Sequence, residues 1–254
     1  MNTPQSTHVA WSEGGVATIT IAGGGHLNLL STAVIESTRS AFEEIIACET
    51  LRVVILRGTG EKAFVAGADI REMGVLTPET ARNFIEGLRK LCEAVRQCPV
   101  PVIARVSGWA LGGGLELMAA CDLRVASNRA QFGMPEIKVG IPSIIHAALL
   151  PGVIGQARAN WMLLTGDNID AAQALSWSLV DTVMPLERLD EEVGRLANQL
   201  ASYGRHVVRQ QKRLLREWRT SNLDAAIVAG VGEFASAFGT GEPQRYMAKF
   251  LDRK

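Results

Sequence analysis

Three consecutive glycines, Gly112, Gly113 and Gly114, stand directly before an apolar run that carries one acidic residue, Glu116. A glycine turn that opens a helix leaves backbone N–H groups unpaired, and such groups can bind an anion or an oxygen that is becoming one. A carboxylate among apolar neighbours can hold or move a proton. The stretch therefore predicts a glycine turn that opens a helix at a chemically active point.

The first part of the chain predicts a strand, helix, strand unit. Residues 16–22 alternate β-branched and small side chains, and residues 51–57 form a short apolar run flanked by charge. Both patterns are typical of strands, the second buried on two faces. Between them, residues 31–48 have apolar side chains at helical spacing, with Ser31 as a candidate cap.

The same order then repeats before the chain becomes helical. Residues 79–97 and 115–120 have helical patterns, and residues 101–106 and 123–126 have strand patterns. Alternation of this kind predicts an α/β fold with a mostly parallel sheet. From residue 171 onward the strands run out, and we expect helices at 171–179, 186–202, 206–219 and 223–238.

Composition excludes several classes of function. Lysine plus arginine and aspartate plus glutamate number 26 each in 254 residues, so no global field favours nucleic acid or an anionic membrane. No basic segment followed by an apolar one begins the chain, and no apolar stretch is long enough to span a bilayer. We expect a cytoplasmic protein that binds neither nucleic acid nor membrane. The four cysteines form no CxxC pair, which indicates reduced, buried thiols and no metal site.

Three segments carry the candidate chemistry: AFVAGADI at 63–70, WALGGGLELMAACD at 109–122 and QFGMPEIKVGIP at 131–142. In each, small residues expose backbone after a strand. The second and third segments also hold a glutamate among apolar neighbours, Glu116 and Glu136. Taken singly, either glutamate could be an ordinary helix or loop carboxylate.

Together these segments resemble the crotonase, or enoyl-CoA hydratase/isomerase, superfamily over nearly the whole chain. The motifs KAFVAGADIREM, PVIARVSGWALGGGLELMAACDLRVAS and AQFGMPEIKVGIP follow in the family's order and spacing. The resemblance implies a crotonase-like (ClpP/crotonase) α/β spiral of repeated ββα units over residues 1–195, in place of a simple parallel sheet. It also implies a helical trimerisation region over residues 196–254 and a homo-oligomer, either a trimer or a hexamer built as a dimer of trimers.

The resemblance further implies an acyl-CoA thioester as substrate, with coenzyme A as its carrier and with no separate cofactor and no metal. The thioester oxygen would lie between the backbone N–H groups of Ala68 and Gly113, where fixed donors stabilise an enolate more than the ground state. Glu116 and Glu136 would be the catalytic pair. The implied substrate and coenzyme contacts are Lys62, Ala66, Ala68, Asp69, Ile70, Arg71, Trp109 and Gly112.

Retention of both glutamates favours an enoyl-CoA hydratase, because double-bond isomerases of the family usually use one carboxylate. A Δ3-Δ2 enoyl-CoA isomerase and an acyl-CoA thioester hydrolase are the alternatives within the family. A non-catalytic scaffold or RNA-binding relative is the alternative from another class, and the neutral net charge weighs against it. Which glutamate is acid and which is base stays open.

One segment departs from the family pattern. The chain has GIPSIIHAALLPGVIG where hydratases commonly have a glycine-rich run, so the acyl pocket and the water site near Ser143 or Ile144 could be reshaped. His146 lies in this run. A catalytic histidine there would suggest a hydrolase, whereas an apolar neighbourhood more often holds a neutral, hydrogen-bonded imidazole.

Overall fold

Two sheets and a set of surrounding helices make up the chain, which a computed structural model describes over residues 7–252. The strands in this part of the chain are β1 (Thr7–Ser12), β2 (Val16–Ile21), β3 (Val53–Gly58), β4 (Ala63–Val65), β5 (Val102–Val106), β6 (Trp109–Leu111), β7 (Leu123–Ser127), β8 (Gln131–Gly133), β9 (Ile169–Asp170) and β10 (Thr182–Met184). The α-helices are α1 (Thr32–Ile46), α2 (Ile70–Met73), α3 (Pro78–Gln97), α4 (Gly113–Ala120), α5 (Leu150–Ile154), α6 (Gln156–Thr165), α7 (Ala171–Ser176), α8 (Leu189–Ser202), α9 (Arg205–Glu217), α10 (Leu223–Phe238) and α11 (Glu242–Leu251).

From β3 to β8, successive strands alternate between the two sheets. The larger sheet has the order β1-β2-β3-β5-β7-β10, and the smaller one has the order β4-β6-β8-β9. Strands β2, β3, β5, β7 and β10 pair in parallel, and β1 is antiparallel to β2. Over this stretch each turn of the chain adds a strand of five or six residues to the first sheet and a three-residue strand to the second, which is a spiral of ββα units.

Most predicted elements are present within a few residues of their expected ends. The Ser31 hydroxyl caps α1 by accepting a hydrogen bond from the Val34 N–H at 3.3 Å, as predicted. The expectation that strands run out after residue 171 is wrong at β10, which pairs with β7 through Thr182 and Val125. A three-residue strand is too short to give a periodic signal, and its pairing partner defines it.

The main core lies between the larger sheet and helices α1 and α3, where Phe42, Leu56 and Leu91 are fully buried. Three of the four cysteines are buried and Cys48 is half-buried, all as free thiols. Helix α8 covers the other face of the sheet with Leu189 and Val193. The predicted boundary between residues 195 and 196 falls inside α8, and the division into two domains stays a prediction.

A buried arginine connects α8 to the larger sheet through hydrogen bonds. Arg105 of β5 is only 2% exposed. Its guanidinium donates to Glu61 at 3.0 Å and to Asp190, at the start of α8, at 3.1 Å. A buried guanidinium needs such acceptors, because an unpaired buried charge is strongly destabilising.

Two further polar contacts hold α9. The ammonium of Lys212 is buried and donates to the Val100 carbonyl at 2.8 Å and to the Asp122 carboxylate at 2.6 Å. Glu242 of α11 accepts hydrogen bonds from the N–H groups of His206 and Val207, in the first turn of α9. A carboxylate at a helix N-terminus satisfies unpaired donors there.

Across residues 7–252, no single helix is long and apolar enough to cross a membrane. Helices α10 and α11, bent by 75° at the break between them, meet that criterion of length and composition only when taken together.

We expect Asp190→Asn to lower the free energy of unfolding by about 1–3 kcal/mol at neutral pH, because a buried donor of Arg105 loses its charged acceptor. The hydrogen bond from Arg105 holds the pKa of Asp190 below its ordinary value. The ionised carboxylate therefore stabilises the fold at pH values above the pKa that Asp190 has in the unfolded chain. This stabilisation is lost as the pH falls through the pKa that Asp190 has in the folded protein. Urea unfolding at neutral pH and near pH ~3 measures both effects.

The matched control is Asp167→Asn, which removes a carboxylate from an exposed ion pair with Lys138. We expect that change to cost less than about 0.5 kcal/mol. Equal losses in the two variants would contradict a special role for the Arg105 contact.

Candidate active site

A cavity of about 490 Å³ opens between α2, α3 and the start of α4. This volume lies in the range of about 300–1,000 Å³ that small-molecule sites occupy. The walls are mostly apolar, and the aliphatic and aromatic side chains that form them are Ile70, Met73, Leu76, Phe84, Ile85, Leu88, Leu111, Val139, Ile141 and Ile144.

The glycine turn brings backbone into this cavity. Gly112 has φ 51° and ψ −126°, a conformation that side chains other than hydrogen rarely allow. Gly114 packs so closely on the end of β4 that a Cβ there would lie 2.1 Å from the carbonyl oxygen of Val65. The start of α4 can therefore touch β4 only with glycine at this position.

Two backbone N–H groups remain free at that contact. Ala68, after β4, and Gly113, the first residue of α4, both line the cavity. Within residues 7–252 neither N–H donates a hydrogen bond, although the neighbouring N–H of Asp69 donates to the Leu30 carbonyl at 3.0 Å. Unpaired donors beside a cavity are suited to an oxygen that gains negative charge.

Glu116 brings a buried carboxylate to the same cavity. It is 4% exposed on the first turn of α4. Its Oε1 accepts a hydrogen bond from the Ala147 N–H at 2.8 Å. Burial raises the pKa of Glu116 to about 8; the bond from Ala147 opposes this rise, and the charge of Glu136 adds to it.

Glu136 faces Glu116 from the 3₁₀ turn Pro135–Val139. Its Oε2 accepts a hydrogen bond from the Ser143 hydroxyl at 3.1 Å. Burial raises its pKa as well. A Cβ on Gly112 would lie 2.5 Å from its Oε1, so the glycine turn also makes room for this carboxylate.

The two carboxylates form a coupled pair, because each occupies the cavity wall and the charge of one raises the pKa of the other. With one pKa near 8, the pair holds a proton at neutral pH. It can therefore accept one proton and donate another within a single cavity.

The structure brings together most of the predicted site residues and leaves four outside. The residues that line the cavity are Ala66, Ala68, Ile70, Gly112, Gly113, Glu116 and Glu136. Lys62 is exposed, and its carbonyl accepts from the N–H of half-buried Trp109. Asp69 caps α2 by accepting from the N–H of Arg71, whose side chain is exposed.

His146 lies beside the site without lining it. The imidazole is 7% exposed, and burial lowers its pKa, so it is neutral at physiological pH. Its Nε2 is 3.5 Å from a carboxylate oxygen of Glu93. This geometry favours the structural interpretation of His146 over a catalytic one.

Three features of the site were not predicted: the Ser143 hydroxyl on Glu136, the Ala147 N–H on Glu116, and the apolar wall from α3. The first two lie in the run that departs from the family pattern. For Ser143 the departure itself was the available signal, since a serine hydroxyl beside a carboxylate can donate to it. The Ala147 contact is made by a backbone N–H, which glycine also carries, so the residue type gave no signal for it.

Comparison with known proteins agrees with this architecture. The sequence model of a family described as "Enoyl-CoA hydratase/isomerase" matches residues 12–254. A crotonyl-CoA hydratase of Syntrophomonas wolfei is 34% identical over 90% of this chain and 88% of its own. A short-chain-enoyl-CoA hydratase of Clostridium acetobutylicum is 33% identical over 95% and 93%.

A solved structure of an enoyl-CoA hydratase from Bacillus anthracis superposes with a TM-score of 0.94 at 32% identity, over 98% of this chain and 97% of that one. A Mycobacterium smegmatis enoyl-CoA hydratase also gives 0.94, at 28% identity. The predicted crotonase-like α/β fold is therefore confirmed, and the spiral of ββα units replaces the simple parallel sheet.

We expect Gly112→Ala to destabilise the protein and to displace Glu136. The backbone conformation alone costs on the order of 1–3 kcal/mol for a residue with a Cβ. The added Cβ, 2.5 Å from Oε1, would also force the carboxylate to move. Thermal unfolding and a crystal structure of the variant measure the two effects.

Gly152→Ala is the matched control, since Gly152 lies in α5 with open space around its Cβ position. Alanine there should be neutral or stabilise the helix by roughly 0.5–1 kcal/mol. If Gly112→Ala unfolded at the same temperature as this control and kept Glu136 in place, the steric argument would be wrong.

Proposed function

The chain belongs to the enoyl-CoA hydratase/isomerase family, and on that premise we propose that it adds water reversibly to a 2-enoyl-CoA thioester to give a 3-hydroxyacyl-CoA. One observation carries the proposal: Glu116 and Glu136 share a cavity with the unbonded N–H groups of Ala68 and Gly113. Relatives named as enoyl-CoA hydratases support the same reaction class, a hydro-lyase.

In the proposed mechanism the thioester oxygen accepts hydrogen bonds from the N–H groups of Ala68 and Gly113. Addition at C3 moves electrons toward this oxygen and forms an enolate. Fixed donors stabilise the enolate more than the neutral thioester, which lowers the barrier. The positive end of the α4 dipole adds to this effect at Gly113.

The carboxylate pair carries out the proton transfers of water addition. Its ionised member accepts a proton as the water oxygen bonds to C3, and its protonated member gives a proton to C2 as the enolate collapses. The pair ends with as many protons as it began with, but the proton now lies on the other carboxylate; its return to the first one restores the starting state. The hydrogen bonds from Ala147 and Ser143 fix the two carboxylates without blocking both oxygens of either.

We propose that coenzyme A extends from the cavity past Ala66 toward the exposed Lys62 and Arg71. The coenzyme is larger than the cavity, so its charged end must lie outside. Asp69 and Trp109 would shape this exit rather than touch the reacting atoms. Water addition leaves the oxidation level of the substrate unchanged, and the reaction as proposed uses no metal and no separate cofactor.

We also propose a homo-oligomer, a trimer or a hexamer, assembled through the C-terminal helices. Helix α10 exposes Ile227, Val231 and Phe234, which recur at the spacing of one helix face. Their exposed fractions are 64%, 76% and 69%. Apolar side chains exposed to this extent on one face are typical of a surface that a partner covers.

The proposal is tested by incubating purified protein with a panel of 2-enoyl-CoA thioesters. We expect loss of the absorbance of the conjugated thioester without release of free thiol. Thiol release would instead indicate the hydrolase, and double-bond migration without water uptake would indicate the isomerase. Absence of any turnover, with RNA binding that survives high salt, would favour the non-catalytic alternative.

In the same assay Glu116→Gln and Glu136→Gln should each lower kcat by on the order of 10²–10⁴, the contribution of a positioned acid or base. Glu36→Gln, on the exposed face of α1, is the control and should leave kcat unchanged. A variant of the pair that kept native kcat would assign its carboxylate a structural role.

Replacing the Gly113 amide by an ester, through semisynthesis, removes the N–H and leaves both glutamates in place. We expect kcat to fall by about 10²–10³, as when one oxyanion donor is deleted in other enzymes. Proline would also remove the donor but could distort the turn. Full activity of a correctly folded ester variant would mean that the glycines serve close packing alone.

A further inference from the structure

A second cavity, of about 420 Å³, lies at the C-terminal end of α3 against α9 and α10. It shares no lining residue with the catalytic cavity, which follows the N-terminal half of α3. In the described part of the chain no aspartate or glutamate lines it. Its basic side chains all come from α9: His206, Arg209, Lys212, Arg213 and Arg216.

Two of these basic side chains already have partners. Lys212 pairs with Asp122 at 2.6 Å. Arg213 pairs with Glu217 at 3.1 Å and with Glu233. These two side chains hold α9 in place and have little positive charge left to offer a ligand.

Arg209 and Arg216 are different. Among residues 7–252, no carboxylate oxygen lies within 4.0 Å of either guanidinium. The Nε of Arg209 is buried and has no hydrogen-bond acceptor. Burial and the neighbouring Arg205 lower the pKa of Arg209, so the folded protein holds this charge in an unfavourable setting.

The Nε of Arg209 is buried, whereas the Nη groups of the same guanidinium are not among the buried unpaired atoms of residues 7–252 and are available to a ligand. Here a donor is removed from water and no group of the protein replaces the lost hydrogen bond, which costs free energy. Positions 209, 213 and 216 lie on one face of α9, so their side chains meet in the same groove. An anion placed there would pair with the accessible Nη groups of Arg209 and offset the repulsion from Arg205.

We propose that this cavity binds a phosphorylated small molecule of about nucleotide size, with its phosphoryl groups between Arg209 and Arg216. Guanidinium forks match phosphate oxygens in bidentate geometry and remain charged when partly buried. The volume suits a nucleotide better than a lone inorganic ion. Because the coenzyme end of the substrate is proposed to lie near Lys62 and Arg71, we assign the phosphoryl group to a separate nucleotide, and the experiment distinguishes this source from the coenzyme end of an acyl-CoA.

Isothermal titration of the full-length protein with ADP and with pyrophosphate tests the proposal, and it does not depend on the proposed hydratase activity. We expect saturable binding that weakens with added salt. The double variant Arg209→Gln with Arg216→Gln should weaken binding at least tenfold, and Arg209→Lys, which keeps the charge and loses the fork, should have an intermediate effect. Thermal unfolding verifies that each variant is folded.

The matched control is Arg188→Gln with Arg195→Gln, which removes two positive charges from exposed ion pairs near and on α8. This control should bind ADP like the wild type. If ADP binding fell equally in both double variants, the loss of net positive charge alone would explain the effect, and the proposal would be overturned.

A kinetic comparison identifies the source of the phosphate. If the double variant raises KM for an enoyl-CoA but not for the matching enoyl-pantetheine thioester, the cavity holds the coenzyme end of the substrate. If neither KM changes while ADP binding is lost, the ligand is a separate phosphorylated molecule.

No saturable binding of ADP, pyrophosphate or coenzyme A to the wild type would overturn the proposal. A change of oligomeric state in the double variant would then assign the cavity to an acidic segment of a second copy.

Discussion

The contact between the start of α4 and the end of β4 determines the geometry of the whole site. Gly114 meets the carbonyl of Val65 at a distance that excludes any side chain. This contact places Gly113 and Ala68 beside the same cavity with their N–H groups unbonded. It also directs Glu116 inward, one turn further along α4, where burial raises its pKa. One close contact between two backbone segments thus positions both the free N–H groups and the carboxyl group of Glu116.

The segment from residue 141 to residue 150 shows how a different sequence can still support that geometry. Ile145 has φ 44°, in the left-handed region that costs a β-branched residue on the order of 1–2 kcal/mol. The strain is retained because the turn that contains it supplies the Ala147 N–H to Glu116. Ser143, just before it, supplies a hydroxyl to Glu136. Each of the two carboxylates thus accepts one hydrogen bond from this segment.

The sequence predicted the parts of the fold that local patterns specify. The periodicity of α1 and α3 and the cap of α1 were readable, and the motifs pointed to both glutamates and both candidate oxyanion donors. The short strands β4, β6, β8 and β10 were not, because two or three residues carry no period and depend on pairing partners far along the chain. Arg105 was missed for a related reason: an arginine in a strand suggests an exposed side chain until the positions of Glu61 and Asp190 are known. Four of the eight predicted substrate and coenzyme contacts lie outside the cavity, since a motif gives order along the chain and not the direction of a side chain.

The burial of Glu116 has a thermodynamic consequence for the whole molecule. Its pKa changes from an ordinary 4.5 to about 8 on folding. Between these values the folded protein binds more protons than the unfolded chain, so this carboxyl makes the fold less stable as the pH rises across the interval. Folding at neutral pH therefore draws a proton from the solvent. Because buffers differ in their heat of protonation, the calorimetric enthalpy of unfolding depends on the buffer in which it is measured.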